Sequence, residues 1–225
     1  MYKVIGIDEA GKGPVIGSMF IGFSIINLAE GLKGLNSYQE KLKDIGVMDS
    51  KKITPKKRNH IYNQLKDMMD IKYAQLTPTV IDINNSNGGK LNELEIQSII
   101  SILETEKPNL IIIDALTANP QKFGDEILKR LSFECKIISE NKADDKYEIV
   151  GAASIIAKEL REQEVEQIKI NVKKDYGSGY PADPKTKKFL EENYDNDEFH
   201  FIFRKSWETY KKLKASKNQK SLNDF

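Results

Sequence analysis

Three carboxylate positions stand out by their company. Asp8 and Glu9 follow the apolar run Tyr2 to Ile7 and precede Gly11-Lys12-Gly13, Asp114 closes the run LIIIDA, and Asp144 and Asp145 stand side by side in KADDKY, just ahead of a long helical pattern. Adjacent acids repel one another and are costly to take out of water unless a cation compensates them. The donors are oxygens only, with no histidine or cysteine close in sequence, and such a set selects a hard Mg²⁺ or Mn²⁺ over zinc. Two such ions about 4 Å apart are the apparatus for in-line attack of water on a phosphodiester, one activating the nucleophile and the other stabilising the leaving oxygen. Spacing leaves open which of Asp144 and Asp145 takes part, since one of them suits the N-cap of the helix that follows.

For these acids to meet, strand ends must carry them. KVIGID and SMFIGFSII (Ser18 to Ile26) are short apolar runs parted by a Gly/Pro-rich turn, and they read as antiparallel neighbours. YAQLTPTVI reads as a third strand, LIIIDA as one buried on both faces, and CKIIS as a fifth. Helices are expected from Thr54-Pro55 onward, with Pro55 in the first turn, and over Leu91 to Lys107, Tyr147 to Lys173, Lys185 to Tyr194 and Ser206 to Lys214. If the first and fourth strands run parallel as neighbours, Asp8 and Asp114 end side by side in the crevice at the carboxyl ends of an α/β sheet. Regular strand geometry sends neighbouring side chains to opposite faces. For Asp8 and Glu9 to share one site, the chain must therefore leave strand geometry near Glu9.

Composition narrows the classes. A chain of 225 residues with 39% hydrophobic content can bury a full core and fits one catalytic domain with a small appendage. The net charge of +1 provides no global basic field, so a nucleic-acid partner must be held by local patches. A single cysteine, Cys135, excludes an internal disulfide; with no signal-peptide pattern and no apolar run near the roughly 20 residues of a membrane span, a cytoplasmic protein without a membrane partner is expected. Gly6 to Lys12 meets the first seven positions of GxxxxGK, but Gly13 stands where a magnesium-binding Ser or Thr is required, and two acids inside the loop would repel a triphosphate. The Gly-Lys-Gly turn instead suits presentation of amide N–H groups and an ammonium to a phosphate or sugar. Ser154, Lys158 and Arg161 are spaced to share one helix face that can meet phosphates, as can Lys51 and Lys52 in DSKK. Cys135, His60 and His200 have no partner spacing for catalysis or metal binding and read as structural, with Trp207 an anchor for the last helix.

GIDEAGKGPVIG, DSKK, LIIIDA, KADDKY with AASIIAK, and GSGYPAD, in that order, resemble the type 2 ribonucleases H (ribonuclease HII), the archaeal branch in particular. The resemblance runs from about Val4 to Trp207. It implies a ribonuclease H-like α/β fold, a mixed five-stranded sheet flanked by helices, and metal-dependent cleavage of the RNA strand of RNA/DNA hybrids and at ribonucleotides embedded in duplex DNA. The expected organisation is a catalytic domain over 1–180, a small helical region over 181–214 and a flexible tail over 215–225 in a monomer. Carried over by motif, the catalytic and metal-binding acids are Asp8, Glu9, Asp114 and Asp144, with Asp144 preferred because the family aspartate follows Lys-Ala. The resemblance also implies that Gly11, Lys12 and Gly13 read the ribose 2′-hydroxyl through the backbone, with lysine where arginine is common. Tyr180 matches the tyrosine that packs on the ribonucleotide sugar, and Lys51, Ser154 and Lys158 complete the substrate contacts. A DNA nuclease or resolvase of the same superfamily lacks a use for Tyr180 and the glycine turn; a non-catalytic nucleic-acid binder lacks a use for four acids. Finally, Gln219, Leu222 and Phe225 in QKSLNDF resemble the peptide by which replication and repair enzymes bind the sliding clamp, although the second aromatic of that motif is missing. The chain is expected to fray after the lysine-rich KKLKASKNQK, where one short 3₁₀-like turn would align the three; the alternative is that Leu222 and Phe225 pack on the protein's own core.

Overall fold

The computed structural model describes residues 1–47, 53–115 and 117–223, the last five of these as backbone alone. Lys51, Lys52 and Phe225 therefore lie outside the described residues. Five strands, β1 (Tyr2–Ala10), β2 (Met19–Leu28), β3 (Asp70–Leu76), β4 (Leu110–Asp114) and β5 (Lys136–Glu140), form one sheet in the order β3-β2-β1-β4-β5. β1 is antiparallel to β2 and parallel to β4, and β4 is parallel to β5, so the sheet is mixed as expected. The helices are α1 (Lys33–Asp44), α2 (Pro55–Met68), α3 (Pro78–Ser86), α4 (Leu91–Glu106), α5 (Pro120–Arg130), α6 (Glu148–Val172), α7 (Pro184–Asn193) and α8 (Glu208–Asn223).

Four of these helices begin alike. Thr54, Thr77, Asn119 and Asp183 each cap the helix with a side-chain oxygen that accepts a hydrogen bond from a first-turn amide, and each is followed by a proline at the first helical position. A cap of this kind contributes about 1 kcal/mol, and the proline there forfeits no hydrogen bond. This chemistry corrects the third strand: YAQL is strand, whereas Thr77-Pro78 turns TPTVI into the start of α3. It also accounts for α5, which an apolar-run reading passes over. At the other end, α8 runs from Glu208 through Asn223, past the Lys214 expected as the end of the last helix.

Contacts divide the chain into two compact units, one made of residues 1–10, 20–74 and 95–160, the other of 11–19, 75–94 and 161–225. In the first, Val4, Leu110 and Ile112 on one face of the sheet pack with Leu42 of α1, Ile61 and Leu65 of α2, and Ile149 and Ile156 of α6. Ile5, Ile7, Ile111 and Ile113 alternate to the other face and are also buried. The second unit has its own core around Val15, Ile16, Ile168, Tyr176, Phe189 and Phe203.

In the first unit α6 meets the sheet backbone to backbone. A Cβ on Gly6 would stand 2.4 Å from the Ile149 carbonyl oxygen, and one on Gly22 would stand 2.4 Å from that of Ala153, one helical turn further on. Ser24, opposite Gly6 and two residues from Gly22 on β2, donates from its hydroxyl to the Ile149 carbonyl at 2.6 Å. From the far side α2 grips the same helix: Asn59 donates to the buried Glu159 carboxylate at 2.8 Å, and Arg58 lies 3.5 Å from it.

Backbone cannot yield to a methyl group as a flexible side chain can. Gly22→Ala is therefore expected to lower unfolding free energy by about 1–3 kcal/mol, the usual cost of overpacking. Urea unfolding monitored by circular dichroism measures it; an unchanged midpoint would mean that helix and strand are not in contact at Gly22.

Candidate active site

Asp8 and Asp114 occupy equivalent places on parallel neighbours. The β1–β4 register pairs Val4 with Leu110 and Ile7 with Ile113, so each aspartate is the next residue along its strand. Alternation puts Asp8 on the face of Val4 and Gly6, and Asp114 on the face of Leu110 and Ile112, which is the face covered by α6. Asp144 arrives from a 3₁₀ turn over Ala143–Asp145, after Lys142 takes a left-handed conformation with φ of 58°. Such a conformation costs a non-glycine residue about 1 kcal/mol, and here it turns the chain back from β5 toward the sheet. The Ala143 amide donates to Asp114 Oδ1 at 3.2 Å and ties the turn to β4.

The three aspartates each offer an oxygen within 4.8 Å of the others. Asp8 and Asp144 are buried, while Asp145 is exposed, so the structure brings Asp144 and not its neighbour into the cluster. Glu9 is placed differently from the expectation. β1 stays regular through Ala10, with Glu9 opposite Ile21 and Ala10 opposite Phe20, so the chain does not leave strand pairing at Glu9. The Glu9 amide donates to Asp8 Oδ1 at 2.8 Å.

Burial above all, together with the charges of Asp114 and Asp144, pushes the Asp8 carboxyl up to about 7, against the Ser154 hydroxyl and the Lys158 ammonium, which favour its ionised form. Three close carboxylates, one of them straining to keep a proton, make an all-oxygen donor set that fits a hard divalent cation. Ser154 is fully buried on α6, and Lys158 one turn later is half-buried, so the helix face expected to meet phosphates is turned in part onto Asp8.

Within the second unit the glycine turn and the GSGYPAD loop form a separate constellation. Gly11 has φ of +87°, and Lys12 donates to Asn92 Oδ1 at 3.1 Å. The Tyr180 ring lies so close to Gly13 that a Cβ there would stand 3.2 Å from it, yet Tyr180 is 40% exposed. Its other support is Arg161, whose guanidinium sits 5.0 Å from the ring centroid and donates to the Ser178 carbonyl at 2.6 Å. Arg161 is therefore a buried prop for Tyr180 and not part of a solvated basic stripe. Arg204, fully buried against the same turn, carries no sequence signal beyond a charge at the end of an apolar run.

The family model for ribonuclease HII matches residues 5–210. The ribonuclease HII of Pyrococcus horikoshii is 42% identical over 229 residues, covering 99% of each chain. The crystal structure of ribonuclease H2 from that organism superposes with a TM-score of 0.83 at 40% identity, over 95% of this chain and 98% of that one. The ribonuclease HII of Archaeoglobus fulgidus, solved in complex with PCNA, gives a TM-score of 0.79 at 29% identity, over 91% and 95% of the two chains.

The Asp8 shift has a definite sign. Its folded value of about 7 lies above the ordinary 3.8, so the folded state holds the proton more tightly and loses stability as pH rises through that interval. Without divalent ions, Asp8→Asn should melt no lower than wild type at pH 8, with its advantage shrinking toward pH 5. Added Mg²⁺ should raise the melting temperature of wild type and not of the variant. Scanning calorimetry across pH tests both statements, and a variant stabilised by Mg²⁺ as strongly as wild type would remove Asp8 from the metal site.

Proposed function

Because the chain belongs to the ribonuclease HII family, and is thus a metal-dependent endonuclease of RNA/DNA hybrids, we propose that it also cuts at single ribonucleotides in duplex DNA. Cleavage falls on the 5′ side of the ribonucleotide and leaves 3′-hydroxyl and 5′-phosphate ends. The observation that carries this reading is the convergence of Asp8, Asp114 and Asp144 from two parallel strands and a 3₁₀ turn.

The three aspartates would hold two Mg²⁺ or Mn²⁺ ions, with Glu9 assigned to the set on the family resemblance. When bound, the ions supply an activated water and stabilisation of the leaving oxygen. Ser154 donates to Asp8 and favours its ionised form. Lys158, close enough to favour the Asp8 anion, supplies positive charge for a phosphate, and Lys51 does the same. Gly11, Lys12 and Gly13 read the ribose 2′-hydroxyl, while Tyr180 lends an exposed ring face, backed by Arg161, to the sugar. The protein acts as a monomer in ribonucleotide removal and RNA primer processing, and none of its described helices is long and apolar enough to cross a membrane.

Docking on a sliding clamp is the second part of the proposal. The relative from Archaeoglobus fulgidus was solved with PCNA, and this chain carries Gln219, Leu222 and Phe225 at the spacing of a clamp-binding peptide. The backbone at Gln219 and Leu222 belongs to α8, so these two positions lie about one helical turn apart.

A duplex of DNA with one ribonucleotide should be cut in Mg²⁺ and left intact with chelator. On that substrate Tyr180→Ala should slow cleavage about ten-fold or more while duplex affinity, set mainly by phosphate contacts, stays within about two-fold. Parallel losses of binding and cleavage would make Tyr180 a general scaffold residue instead. Removing residues 219–225 should leave cleavage of short duplexes unchanged and abolish clamp binding measured by calorimetry; undiminished clamp binding would refute the tail assignment.

A further inference from the structure

The glycine turn is held from below by one buried cation. Arg204 has no exposed surface, and its guanidinium donates to three carbonyls of residues 11–17: Nε to Gly17 at 2.8 Å, and the two terminal nitrogens to Lys12 at 3.1 Å and Gly11 at 2.7 Å. The backbone around it is paired with the same loop. The Arg204 amide donates to the Val15 carbonyl at 2.9 Å, the Gly17 amide donates to the Ile202 carbonyl at 2.9 Å, and Ile16 bridges to Phe203. Trp207 covers the guanidinium at 4.9 Å from the ring centroid.

Those carbonyl bonds dictate which way the turn's donors point. A trans peptide is planar, with its C=O and N–H directed oppositely. With the Gly11 and Lys12 carbonyls both drawn onto the guanidinium, the Lys12 and Gly13 amides of the same two peptides are directed away from Arg204. One planar fork with five donors can hold three carbonyls at once, which a lysine ammonium on a flexible stem does not reproduce. We propose that Arg204 is a positioning residue, which sets the orientation of the 11–13 peptides and so aims their N–H groups at the ribose. This inference rests on the reading of the turn given under the proposed function.

Arg204 is in turn seated by α3. Asp82 accepts hydrogen bonds from the amides of Lys205 and Ser206, each at 2.8 Å, and from the Ser206 hydroxyl at 2.6 Å. Asn85, one turn later on α3, donates to that hydroxyl at 2.9 Å. Burial holds the Arg204 guanidinium down to about 10, still far above working pH, so it remains a full donor.

Arg204→Lys keeps the charge and discards the fork. On a DNA duplex with one ribonucleotide its kcat should fall about ten-fold or more, as expected when groups that meet the substrate are misaimed by a fraction of an ångström. KM and affinity for the corresponding all-DNA duplex should stay near wild type. A merely structural role would lower melting temperature and all activities together. Should Arg204→Lys unfold at the assay temperature, Asp82→Asn replaces it, since it frees the 205–206 backbone that seats Arg204 and lets the guanidinium shift off its carbonyls; a fall in kcat of about three-fold or more at constant KM is expected. A kcat within two-fold of wild type in the folded variant overturns the role of Arg204. A wild-type chain inactive on this duplex, but active on long hybrids, overturns instead the reading of the turn.

Discussion

Everything in the first unit depends on how closely α6 lies against β1 and β2. Two carbonyls one turn apart on the helix, those of Ile149 and Ala153, occupy the space where side chains of Gly6 and Gly22 would be. Gly22 is also the residue opposite Asp8 in the strand register. The missing side chains on the sheet, at Gly6 and Gly22, set the separation at which Ser154 meets Asp8. A larger residue at either glycine would lift the helix and draw away the hydroxyl that steadies the carboxylate.

Against that rigid scaffold the acid cluster is electrostatically uphill. Burial opposes charge on Asp8, and Asp114 and Asp144 oppose it further. The protein tolerates the arrangement because three supports are fixed by backbone: the Glu9 amide on Asp8, the Ala143 amide on Asp114, and the left-handed turn at Lys142. Such preorganisation costs stability in the free protein and lessens the reorganisation needed when charge develops during reaction.

Much of this was legible beforehand, and the failures have physical causes. Apolar runs located all five strands, and the parallel pairing of the first and fourth was the condition for Asp8 and Asp114 to meet, which the register fulfils. Thr77-Pro78 was misread because four apolar or β-branched residues flank it, although the same Thr-Pro signal was recognised at Thr54-Pro55. The place of Glu9 turned on whether the strand ended at Ile7 or Ala10, which depends on the partner strand reaching Phe20 and not on β1 itself. Asp144 could not be told from Asp145 by spacing; burial separates them. Arg204 was invisible because its partners are carbonyls nearly two hundred residues away, and carbonyls leave no mark in a sequence.

The parallel pairing of β1 with β4 also governs the order in which the molecule can form. β1 and β2 are joined by a short loop and zip locally, whereas Lys3 finds Asn109 across 106 positions of chain. Long-range pairing bears a loop-closure entropy that must be met before its contacts repay it, and such topologies fold slowly. Asp8 and Asp114 come together only at that step. A nascent or partly folded chain, with its first hairpin complete, thus holds its acids apart and has no competent nuclease centre until the central strands have closed.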